Sequence, residues 1–135
     1  MKAKELMIGD WVGRVFDDKR IDYRQVDWIR TGEIGMRYQK VWAIGCIEPI
    51  PLTAEILEKD GWERDIDKEW EYNNSHILPH YCYQWEKQNV KIEMYAGLEG
   101  FTISLIIGRR FYAVHELQHA LRLCGLDELA DNFKV

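Results

Sequence analysis

YCYQWEKQNVKIEMYAGLEGFTISLII, residues 81–107, alternates apolar and polar side chains three times over. Tyr81, Tyr83 and Trp85 alternate with Cys82, Gln84 and Glu86, and Val90, Ile92 and Met94 with Lys91, Glu93 and Tyr95. Phe101, Ile103, Leu105 and Ile107 then alternate mainly with Thr102 and Ser104. A period of two marks a strand with one buried face. Gln88-Asn89 and Gly97-Leu98-Glu99-Gly100 separate the runs at hairpin length, which predicts a three-stranded antiparallel meander.

One apolar face of such a sheet needs a cover, and a helix is expected on either side of it. Upstream, Pro49-Ile50-Pro51-Leu52 reads as an extended connector, because proline disfavours helix in the residue before it. Thr53 follows as an N-cap, Ile56 and Leu57 face inward, and Gly61 stands where a C′ glycine belongs, giving a helix over 54–60. Downstream, Val114, Leu117, Leu121 and Cys124 fall at i, i+3, i+7 spacing, flanked by Ala113 and Ala120. That stripe predicts a helix of about 112–124, stopped by Gly125 and lying on the meander.

The first half reads as β-structure. Strands are expected from Leu6 to Phe16 with a kink at Gly9, from Ile21 to Arg30, and from Tyr38 to Ile47, with Asp17-Asp18-Lys19-Arg20 and Thr31-Gly32 as turns. Short strands at this spacing suggest a small SH3-like barrel or curled sheet. The expected class is therefore α+β, with a β-rich part over 1–48 and an α+β part over 52–135, separate or continuous.

At 135 residues the chain can bury a core without staples. Cys46, Cys82 and Cys124 are odd in number and far apart, which predicts reduced, buried thiols and a cytoplasmic protein. No signal peptide or membrane-length apolar run is found, so no membrane partner is expected. The net charge of −5 is uneven: residues 55–71 carry eight acids and three bases, while the first fifty residues sum to about +1. Nucleic acid is a poor partner for such a chain. Six Trp and seven Tyr favour a recognition surface, and Trp11, Trp28 and Trp42 could form a ligand platform, although aromatics in a small β-fold are more often core.

His115-Glu116-Leu117-Gln118-His119 matches H-E-x-x-H, in which two histidines one helical turn apart hold Zn²⁺ and the glutamate activates a metal-bound water. Here His115, His119 and Arg122 share the helix side opposite the apolar stripe, and a fixed cation beside a divalent metal is unfavourable. A third ligand is missing from the extended pattern, with Arg at position 122 and only Glu128 and Asp131 in reach. His76 and His80 are also four apart, but Pro79 argues against a helical pair. No metal, no cofactor and no catalytic residue are expected. The alternative is a minimal zinc hydrolase or peptidase with His115 and His119 as ligands and Glu116 as base.

Leu6-Met7-Ile8-Gly9-Asp10-Trp11-Val12, the segment from Glu48 to Trp62 and Val114-His115-Glu116-Leu117-Gln118-His119-Ala120-Leu121 resemble, in that order, a family of small proteins of Bacteroides-type gut bacteria and their phages and mobile elements. The P-I-P-L-T-x-E-I-L-x-K-x-G segment is the most specific part. The family has no established activity, so the resemblance implies origin and carries over no site residues. The expectation is a non-enzymatic binding protein that captures a host protein or a small nucleotide signal, with homo-oligomerisation compatible with its aromatic content.

Overall fold

The computed structural model describes residues 1–66, 80–85, 88–95, 101–103 and 106–135. Two compact units form. The first joins Met1–Pro51 to Ala113–Phe133, and the second comprises Leu52–Tyr112. The chain thus returns to its first unit at Ala113, whereas the sequence groups the C-terminal helix with 52–135.

In the first unit, β1 (Trp11–Val15), β2 (Ile21–Arg30), β3 (Glu33–Met36) and β4 (Lys40–Ala43) form one antiparallel sheet in that order. Among the described residues no pairing joins β1 to β4, so of the two expected forms, barrel or curled sheet, no closed barrel is formed. The expected first strand starts late, because Gly9 at φ +92° turns the chain before Trp11. β3 was not foreseen, since four residues containing Gly35 carry little alternation. A register shift between Val26 and Trp28 bends β2, as an extra residue in one strand does. Val12, Val26, Ile34, Met36 and Trp42 close over a core with Leu6 and Ile47. The helices of this unit are α2 (Val114–Leu123) and α3 (Asp127–Asp131).

In the second unit, α1 (Ala54–Asp60) follows its caps: the Thr53 hydroxyl accepts from the Ile56 N–H at 3.2 Å, and Gly61 sits at φ +105°. The Trp62 N–H then returns to the Leu57 carbonyl, and its ring is buried. The expected three strands belong to a five-stranded antiparallel sheet. It runs β5 (Glu63–Arg64), β6 (His80–Trp85), β7 (Gln88–Tyr95), β8 (Phe101–Ile103) and β9 (Ile106–Phe111). Gln88 and Asn89, expected in a turn, open β7, and the expected third strand is divided between β8 and β9. The expected turn at 97–100 lies outside the described residues. Among the described residues no helix is long and apolar enough to cross a membrane. Among the described residues no disulfide joins Cys46, Cys82 or Cys124; Cys82 is buried, Cys46 is exposed and Cys124 half-buried.

Asp60 ends α1 as a buried carboxyl that accepts from the Trp62 indole at 3.0 Å and from the Lys134 N–H at 2.7 Å. Burial raises its pKa from 3.8 to about 6, against the pull of those two donors. The folded state therefore binds this proton more tightly than the unfolded chain. Its contribution is complete below pH 3.8 and is lost as pH rises through about 6. A two-unit shift corresponds to about 3 kcal/mol at most. Urea titrations from pH 4 to pH 7 should show Asp60→Asn losing this part of the wild-type pH dependence. Parallel wild-type and variant profiles would contradict the assignment.

Candidate functional site

The face of α2 that carries His115 and His119 is closed over by the segment Met7–Trp11, which the apolar stripe alone does not reveal. Gln118, inside the H-E-x-x-H word, is fully buried. Its Oε1 accepts from the Trp11 N–H at 2.9 Å, and its Nε2 donates to the carbonyls of Gly9 at 3.0 Å and Ala130 at 2.9 Å. Gln25 Nε2 from β2 donates to the same Gly9 carbonyl at 3.2 Å and to Asp131 O at 3.1 Å. Two buried amides thus satisfy backbone groups that the turn at Gly9 leaves without strand partners.

Beside them, Asp10 is a fully buried carboxylate. Its Oδ2 accepts from the Met7 N–H at 2.8 Å and from His119 Nε2 at 2.6 Å, and its Oδ1 from Arg122 Nη1 at 2.7 Å. A carboxylate only accepts, so His119 carries its proton on Nε2. Arg122 continues to Asp131 Oδ1 at 3.1 Å. The cation that sequence reasoning set against a metal is thereby the partner of a buried acid. His115 is buried, and among the described residues its Nδ1 has no hydrogen-bond partner. Desolvation holds its imidazole below the ordinary pKa, opposed by the nearby Asp10 charge.

His119 Nε2 is occupied by Asp10, and among the described residues no three His, Cys, Asp or Glu side chains converge as metal ligands. Glu116 lies half-buried in the first turn of α2, where a carboxylate suits the helix dipole. His76 lies outside the described residues, as does the side chain of His80.

The three tryptophans do not form one platform. Trp42 is core, the Trp11 indole donates to the Phe133 carbonyl at 2.6 Å, and Trp28 lies over Gly35 beneath the Arg30 guanidinium. Side chains alternate across a sheet, so Trp28, paired with Gly35, and Trp42, paired with Ile34, occupy opposite faces.

The face that carries Val12, Val26, Met36 and Trp42 continues, toward the β1–β2 turn, into Arg14, Asp22, Arg24 and Lys40. There the sheet opens into a groove of about 480 Å³, lined by four cations (with Arg20) and one carboxylate. Asp22 pairs with Arg24 at 3.2 Å. Among the described residues, Arg14, Arg20 and Lys40 have no carboxylate partner, and the two guanidiniums stack on the Phe16 ring at 4.6 and 4.4 Å. Next to Arg24, whose guanidinium lies 6.0 Å from its ring, Tyr38 is 84% exposed and holds φ +66°. A bulky residue rarely adopts that backbone conformation, which costs about 1 kcal/mol or more, and such strain gathers at binding surfaces. Sequence reasoning missed this groove because its cations are scattered over positions 14 to 40 among acids that nearly cancel them.

Comparison of the chain with known protein families, with curated proteins and with solved structures finds no match.

Proposed function

We propose that the protein is a non-enzymatic binding protein that holds an anionic ligand in the basic groove of its N-terminal sheet. The supporting observation is the groove itself, with four cations against one carboxylate in a chain of net charge −5. Packing cations together without acids to neutralise them is unfavourable in the free protein, and an incoming anion relieves that repulsion. Arginines already stacked on Phe16 lose little freedom when they meet a carboxylate or phosphate, and their fork donates two hydrogen bonds at once. The resemblance to proteins of phages and mobile elements agrees with a cytoplasmic, host-directed role, in which the anion belongs to a host protein or a small nucleotide signal. The polar clamp that ties His119 to Asp10 and Gln118 to the Gly9 carbonyl supports the binding reading over hydrolase chemistry at Glu116.

Tripolyphosphate and a glutamate-rich peptide, titrated calorimetrically at low salt, should each bind, with affinity falling as salt is raised. Arg14→Glu/Arg24→Glu should weaken both by at least about a hundredfold, the equivalent of roughly 3 kcal/mol. Absence of binding by either probe, or unchanged binding by the double variant, would overturn the proposal.

A further inference from the structure

The groove opens beside a sheet edge. Among the described residues, β4 is the last strand of its sheet and pairs with β3 alone. The Ile44 N–H bonds to the Gly32 carbonyl, which fixes the phase of the ladder. Lys40 and Trp42 therefore point their backbone groups at β3, and Val41 and Ala43 point theirs outward. Among the described residues, the Val41 N–H and C=O and the Ala43 N–H have no hydrogen-bond partner. Side chains divide the same way. By strand alternation Lys40 and Trp42 project on the groove face, and Val41, half exposed and bordering the groove, projects on the other.

We propose that β4 accepts an extended acidic segment of a partner protein as a fifth strand. This rests on the anion-binding reading of the groove and names its occupant. Backbone pairing along Val41 and Ala43 supplies register, and successive side chains of the guest fall on alternate faces, about 7 Å apart on each face. Those on the groove face meet Lys40 and then the arginines, and those on the far face meet Val41. The matching guest alternates acidic and apolar residues. Self-pairing of β4 with a second copy would bring the two cationic grooves together, and like charges side by side disfavour it. Lys40 on the edge serves the same end, since an edge lysine discourages indiscriminate pairing.

Ala43 offers a selective test. Its φ of −65° is the angle that proline imposes, and its N–H points away from β3. Ala43→Pro therefore removes one outward donor and leaves the sheet and the groove intact. The probe is a fluorescent peptide of about eight residues alternating Glu and Val, measured by anisotropy against wild-type protein and Ala43→Pro. A second peptide carries N-methyl groups on the residues that would pair with β4, so the test holds even if the variant does not fold. Ala43→Pro and N-methylation should each weaken peptide binding at least about tenfold, with tripolyphosphate binding unchanged in the variant. Equal affinities for all forms would show that the groove binds without the edge, and would overturn the strand. Tripolyphosphate binding without peptide binding would overturn it too and leave the groove standing. Loss of both would remove the groove reading itself. A peptide-free dimer that Ala43→Pro converts to monomer would make a second copy the occupant, against the proposal.

Discussion

Gln118→Leu is expected to be among the most destabilising single substitutions in the first unit. Leucine is close to glutamine in size, so the loss is one of hydrogen bonds and not of volume. Three bonds disappear, to the Trp11 N–H and to the Gly9 and Ala130 carbonyls. Gly9 O retains Gln25, and Ala130 O retains the Phe133 N–H. The Trp11 N–H is left with no acceptor. A buried donor stranded in this way costs about 1–3 kcal/mol, and the lost bonds bring the total to roughly 3–4 kcal/mol. Urea unfolding should show that loss with an unchanged slope. A loss below about 1 kcal/mol would mean that α2 is not held by this amide.

The second large effect is expected at Gly35→Ala, for a steric reason. A methyl group there would lie 2.0 Å from two atoms of the Trp28 ring, Cε2 and Nε1, and 2.5 Å from Cδ1. Trp28 is the register partner of Gly35 on β2, and Arg30 stacks 4.7 Å from its ring, so the indole is bounded on both sides. It has to leave its site or push β3 away from β2, at a cost of about 2–3 kcal/mol. Unfolding measurements on a double-mutant cycle isolate the effect: in a Trp28→Ala background, Gly35→Ala should cost under about 0.5 kcal/mol. Additive losses would show that the glycine is needed for another reason.

Both residues mark where the sequence was legible and where it was not. Local chemistry reads well: Thr53 and Gly61 bracket α1 as their cap roles require, and the period of two over 81–95 produces β6 and β7. The apolar stripe of α2 was equally plain, and Val114, Leu117 and Leu121 are fully buried. Hydrophobic periodicity does not register a face buried through hydrogen bonds, so Gln118 and His115 gave no sign of their burial. Nor does it show which unit receives the helix, because that depends on partners over a hundred positions away, at Gly9, Asp10 and Trp11. H-E-x-x-H reads as a metal site only if its polar residues are free to face a metal. Here Asp10 holds His119, and Gln118 holds the turn before β1.

The groove illustrates the converse failure. A count of about +1 over fifty residues hides a face on which β1, β2 and β4 place Arg14, Arg24 and Lys40 together. Only the strand register, with Arg24 opposite Val12 and Lys40 opposite Met36, reveals that they share it.

The most direct test is a titration of isotope-labelled protein with tripolyphosphate, followed by amide and side-chain nuclear magnetic resonance. Shifts concentrated at Arg14, Phe16, Arg20, Arg24, Tyr38 and Lys40, and fading with salt, are the result expected. Shifts centred on His115, Glu116 and His119, with the groove silent, would contradict the account and return the function to the helix.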